Sequence, residues 1–206
     1  MASEIDICNL ALVAIGAEQI RDFTGANKRE RVCETMYSHV RDKLLAGYDW
    51  SFARVIASLR ETVGAEANEY GTGYDVPNDC LRAIDILPLG RGQRWERIGA
   101  SIFTSVPEPK LRYTKRETNT GLYTMAFVDA LSLQLAVAIA PTIRQNDKYE
   151  ARLEQRATAA LMLAQEEDAG QGEDYRHPDN DPNNDSFVNP DLADSIRQGT
   201  NGYTST

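Results

Sequence analysis

Histidine is almost missing from this chain: His39 and His177 are the only two in 206 residues. Neither stands at ligand spacing from a cysteine, so no zinc-type constellation is visible. Cysteine is scarce too. Cys8, Cys33 and Cys80 are an odd, widely spaced set, two of them on apolar helical faces, which predicts reduced and buried thiols rather than a disulfide framework. Long apolar runs are lacking: the longest apolar-rich piece, Ala126 to Ala140, carries Asp129 and Gln134 and falls short of the roughly 18 residues a membrane span needs. The N-terminus has no charged leader followed by an apolar core and a small-residue cleavage site, which predicts no secretory signal. Positive charge is in deficit. The formal net charge of −9 argues against binding nucleic acid by general phosphate neutralisation.

Recognisable chemistry is sparse as well. The glycine pairs Gly71/Gly73 and Gly90/Gly92 lack the third glycine, the Lys-Ser/Thr and the strand-to-helix setting of a phosphate loop, and read as turns. Asp179, Asp181 and Asp185 alternate like calcium ligands, but the required glycine and terminal glutamate are missing. No nucleophile elbow is present. The carboxylate pairs Glu66/Glu69 and Glu166/Asp168 are the candidates for a hydrolase alternative, and both are expected on solvated segments without the burial that tunes a catalytic acid. His39 reads as a surface or satisfied helix residue. The expectation is therefore no catalytic residue, no cofactor and no metal.

What is present is concentrated between Asn27 and Leu59. Val32, Cys33, Met36, Tyr37, Val40, Leu44 and Leu45 recur at three- and four-residue steps, with Arg29, Glu30, Glu34, Arg41 and Asp42 filling the other side. That predicts an amphipathic helix capped by Asn27 and ended by a left-handed Gly47. Tyr48, Trp50 and Phe52 follow at alternate positions, and core packing outweighs a base-stacking role because Arg54 alone supplies no basic track beside them.

Upstream, Ser3 with Asp6 predicts a capped first helix whose face is Ile5, Cys8, Leu12 and Ile15, closing at Gly16. Arg54 to Glu61 reads as a helical turn or a short strand. From 64 to 116 the pattern becomes short β-like runs, expected at Cys80 to Leu87, Gln93 to Ile98, Ser101 to Thr104 and Lys110 to Lys115, with turns at 70–74 and 77–79. Arg91, Arg94, Arg97, Arg112, Lys115 and Arg116 give this region a local positive bias, more consistent with a solvated sheet face than with a nucleic-acid module. A second helical block has Phe127, Ala130, Leu131, Leu135, Ala138 and Ile139 on one face, with Pro141 expected to break or kink it. A last helix over 147–168 carries Leu153, Ala157, Ala160, Leu161 and Ala164.

These patterns predict an α+β, mainly α fold: an up-and-down helical bundle with an inserted small antiparallel β subdomain and an extended C-terminal arm. The segments are 1–63 and 117–169 for the bundle, 64–116 for the insert and 170–206 for the arm. The arm is polar and holds a net charge of −5, leaving −4 to the rest. Alone, such a composition stays disordered. Phe187, Val188, Leu192, Ile196 and Tyr203 are its apolar anchors, expected to contact a partner or a neighbouring subunit.

The strings ICNLALVAIGAEQI at 7–20, CETMYSHVRDKLLAGYDWSFA at 33–53, YDVPNDCLRAIDI at 74–86, LRYTKR at 111–116 and then FVDALSLQLAVAIA share an order and spacing. Over residues 4–169 the chain resembles the tail tubular protein A family, the head-to-tail adaptors of short-tailed bacteriophages. The most specific part is Tyr37, Arg41, Leu44, Leu45, Trp50, Phe52 and Ala53, followed by the run from Tyr74 to Arg82. The resemblance implies a virion structural protein without enzymatic activity, assembled in the bacterial host cytoplasm as a homo-oligomer of about twelve copies. Such a ring joins the portal protein to the tail nozzle, tail tubular protein B, and is a candidate attachment point for tail fibres. DNA passes through its channel without specific binding. No membrane is implied.

Overall fold

Reciprocal caps start the first two helices. The Asp6 N–H donates to Ser3 Oγ at 3.1 Å, and the Ser3 N–H donates back to the Asp6 carboxylate at 2.9 Å, opening α1, Glu4–Ala14. Asn27 and Glu30 repeat the device at α2, Lys28–Gly47. Each pair satisfies donors that a helix leaves orphaned in its first turn. α1 ends where Gly16 takes a φ of 68°, so that the Gly16 and Ala17 N–H groups reach back to the Val13 and Leu12 carbonyls.

α2 ends differently from expectation. Gly47 is its last helical residue, and the chain leaves through Tyr48 in an extended conformation rather than through a left-handed glycine. The indole of Trp50 supplies the reason: its Nε1–H donates to the Leu44 carbonyl at 2.9 Å, so a side chain satisfies a terminal carbonyl that a left-handed turn would otherwise serve.

The computed structural model describes residues 2–25, 27–63, 66–88, 94–143 and 147–170. After α2 come a short 3-10 turn at Ser51–Ala53 and the strands β1 (Arg54–Ser58), β2 (Thr72–Asp75), β3 (Cys80–Leu87), β4 (Trp95–Ile98), β5 (Ser101–Thr104) and β6 (Lys110–Lys115). The helices α3, Met125–Ile143, and α4, Asp147–Ala169, complete the order. The fold is thus α+β and mainly helical, with a small antiparallel β region inserted between α2 and α3.

Three expected strands keep their bounds, and the fourth, expected from Gln93, begins at Trp95, with Arg94 before it outside the strand. Arg54–Ser58, open between turn and strand, is a strand paired with β6 from Arg54↔Thr114 to Ser58↔Lys110. Two points differ from the sequence reading. Thr72–Asp75, expected within a flexible turn, is a strand paired antiparallel with β5. Only the residue before it needs a glycine: Gly71 has φ 122°, and a Cβ there would stand 2.4 Å from the Thr104 carbonyl oxygen. The strands also form two three-stranded sheets rather than one, ordered β1-β6-β3 and β2-β5-β4. Ile102 of the second shares a buried cluster with Ile86, Leu111 and Tyr113 of the first. Two short sheets bury an apolar layer between them that one small sheet would leave wet.

α3 is the centre of the helical part, packed by α1, α2 and α4. Phe127, Ala130, Leu131, Leu135 and Ile139 are buried as expected, and Ala138 is half-buried. Pro141 does not break the helix, which continues to Ile143. So near the end, the missing N–H costs little of the hydrogen-bond ladder. α3 is also longer than the apolar stretch expected from the sequence: it has 19 residues and a window of mean hydropathy 1.7, enough by length and composition to span a membrane. Of that window 56% is buried inside the protein, as in the core helix of a bundle.

Candidate functional site, an interaction surface

The stretch from Tyr37 to Ala53, the most specific part of the family resemblance, contributes Tyr37, Leu44, Leu45, Trp50 and Ala53 to one buried cluster. Trp50 is wholly buried, its ring 4.9 Å from Tyr48, 5.8 Å from Phe52 and 4.8 Å from Phe127. Phe52 and Phe127 in turn each contact Tyr123. The T-shaped members of such a cluster each add about 0.5–1.5 kcal/mol beyond area burial. Tyr37, Leu44 and Leu45 are buried in the same core.

Arg41 is the surprise in this group. Expected on the solvent side of α2 together with Glu30, it is only 6% exposed and Glu30 only 7%. Its guanidinium lies 5.8 Å from the centre of the Tyr37 ring and donates to Asp42 at 2.9 Å, with the Glu4 carboxylate at 3.7 Å. Asp42 also accepts from Arg116 at 2.8 Å. The chain Glu4–Arg41–Asp42–Arg116 ties α1, α2 and the exit of β6 together. Glu30 is buried because its carboxylate closes the Asn27 cap and accepts from Thr24.

A second tie was misread in the sequence. Asp168, expected to be solvated, is 4% exposed, and its carboxylate accepts from the Ser51 N–H at 2.9 Å and the Ser51 hydroxyl at 2.7 Å. The Tyr48 hydroxyl donates to the Gln165 carbonyl at 3.2 Å beside it. This carboxylate is committed to holding the aromatic segment on α4. Glu66, Glu69 and Glu166 are exposed. Among the described residues no cluster of three His, Cys, Asp or Glu is arranged to hold a metal ion.

All three cysteines are free, Cys8 and Cys33 fully buried and Cys80 half-buried, where burial was expected. The Cys8 thiol is pushed far above its ordinary value by its hydrogen bond to Cys33 and by burial, so it stays protonated. In the β region much of the basic bias is neutralised: Arg112 faces Asp85 at 3.9 Å, Lys115 faces Glu117 at 3.5 Å, and Arg116 is held by Asp42. Arg94 and Arg97 are exposed, and Arg91 lies outside the described residues.

Among the described residues, two partly apolar hollows stand open beside the helices. One is a cavity of about 380 Å³ among α1, α3 and α4, where Leu10, Val13 and Leu163 are 45%, 56% and 54% exposed. The other is a groove along α2, α3 and α4 with His39 and Lys43 on its edge. Sequence reasoning missed both. The available signal was α1 itself: Leu10 and Val13 are apolar at positions off the Cys8–Leu12 face, so the helix is apolar almost all round. The anchors Phe187, Val188, Leu192, Ile196 and Tyr203, the histidine His177 and the cluster Asp179, Asp181 and Asp185 lie outside the described residues.

A scan against models of protein families finds no match for this chain, and a search of curated proteins finds none either.

Proposed function

We propose that this chain is a head-to-tail adaptor of a short-tailed phage, a structural protein that joins the portal to the tail nozzle as a ring around the DNA channel. The observation that carries this reading is the open apolar face of Leu10, Val13 and Leu163 on α1 and α4. A contiguous apolar patch on a rigid helical surface marks an interface, and helices presented edge to edge are suited to closing a ring of identical copies. The sequence resemblance supplies the identity of the partners. The net charge of −9 suits a channel through which DNA slides, because a basic lining would retain the phosphate backbone.

Leu10, Val13 and Leu163 form the contact between copies, and Phe187, Val188, Leu192, Ile196 and Tyr203 anchor the acidic arm on the portal or on the adjacent adaptor. The test mixes purified protein with purified portal rings and compares the full chain with one ending at Gly170. Several copies captured per portal by the full chain, with loss on truncation, support both adaptor and arm. Equal capture by both chains removes the arm from the account, and no capture by either removes the adaptor reading.

A further inference from the structure

The groove along α2, α3 and α4 has a chemistry of its own. Its floor is apolar: Met36, Val40, Leu44, Val137 and Leu161 line a cavity of about 550 Å³. A smaller cavity of about 270 Å³ continues it toward the start of α2, sharing Met36 and Ala138. Together they follow α2, whose 20 residues make about 30 Å of helix.

The edge of this groove is basic. Lys28, Arg31 and Lys43 are exposed along it, with His39 between them. Lys28 donates to the Thr142 carbonyl at 2.7 Å and Arg31 to the Gly25 carbonyl at 2.8 Å. Among the described residues no carboxylate pairs with any of the three. In a chain of net charge −9, an apolar slot edged by cations that no described carboxylate neutralises calls for an acidic segment with apolar anchors.

We infer that this groove receives residues 185–197 of a second copy of the same chain. The assignment rests on the ring reading, which sets copies side by side, and it gives the arm a specific destination. That segment reads DSFVNPDLADSIR, with Asp185, Asp191 and Asp194 against Arg197, a net charge of −2. Pro190 disfavours a helix, and in an extended chain Val188, Leu192 and Ile196 fall on one side. From Phe187 to Ile196 an extended chain covers about 30 Å, the length of the groove. The 16 residues between Gly170 and Phe187 span up to about 55 Å, enough to reach a neighbouring copy. Charge, anchor spacing and length agree on one occupant.

The test uses the full chain. One copy, of ordinary isotope content, carries the photoreactive p-benzoylphenylalanine in place of Leu192, one of the three side chains facing the groove, and it is mixed with an equal amount of an isotopically heavy wild-type copy. After illumination, the expected products join the light arm to heavy residues in 28–47 or 134–142, in about half of all cross-links. Arg31→Glu with Lys43→Glu in the heavy copy, both exposed positions, lowers the heavy product about ten-fold, and so does high salt, which screens the charges. Cross-links confined to light chains, or mapping away from the groove, overturn the assignment. The mass of the same samples separates the two readings: a ring-sized assembly without groove cross-links overturns the groove alone, whereas a monomer without them overturns both.

Discussion

The helices share a continuous buried cluster around Trp50 and Phe127, while the strands close on a small one made of Ile86, Ile102, Val106, Leu111 and Tyr113. In the helical part polar groups also make the connections: an indole caps α2, a carboxylate on α4 holds Ser51, and Arg41 through Asp42 links α1 to the exit of β6. In the β region, position is set by backbone geometry, as at Gly71, more than by buried area. The helical part therefore holds the larger share of the buried apolar groups and is expected to carry more of the stability.

Removing Trp50 should break that contrast most sharply. Trp50→Ala leaves a cavity beside Phe127 and uncaps the Leu44 carbonyl, and it is expected to cost about 3–5 kcal/mol. Urea unfolding should register the loss over the whole protein. Ile102→Ala is expected to cost about 2–3 kcal/mol, with hydrogen exchange rising mainly in the strands. Equal loss of protection everywhere in both variants would mean that the two regions are one cooperative unit.

Next in size is Asp168→Ala, which strands the Ser51 N–H and hydroxyl. Charged hydrogen bonds of this kind contribute about 1.5–3 kcal/mol, and a loss of about 2 kcal/mol in chemical unfolding is expected. Gly71→Ala should cost about 1–3 kcal/mol, because alanine is strained at this backbone conformation and its methyl would press on Thr104. Its signature is local: faster amide exchange in β2 and β5 with helical protection unchanged.

The smallest effect belongs to Asp6. The Ser3 N–H and hydroxyl hold its carboxyl below the usual carboxylate range. A depressed folded value stabilises the protein above the unfolded value of about 3.9 and loses that stabilisation as pH falls through the folded value. Asp6→Ala should therefore lower the melting temperature at neutral pH and converge with the wild type in strong acid. A difference that grew on acidification would contradict the cap.

Much of this was legible in residue order. Helical periodicity exposed the faces of α2, α3 and α4, and the caps at Ser3 and Asn27 were visible as spaced side chains. Strands bounded by turns at 77–79 and before Lys110 were legible for the same local reason. What escaped depends on contacts distant in sequence. Gly47 looked like a terminator because nothing local reveals that Trp50 folds back on Leu44. Arg41 and Asp168 looked solvated because their partners Glu4 and Ser51 lie on other elements. β2 was hidden because Gly71 and Gly73 carry turn composition, although pairing with β5 supplies its order. The open face at Leu10, Val13 and Leu163 needed the packing of α1, α3 and α4 to become visible.

The most direct test of the adaptor account is the native mass of portal rings incubated with this protein, wild type against Val13→Asp. The account predicts about twelve copies on each portal ring for the wild type and a sharp loss for the variant, whose exposed position leaves the fold intact. Portal rings that emerge at their own mass from incubation with the wild-type protein would contradict it.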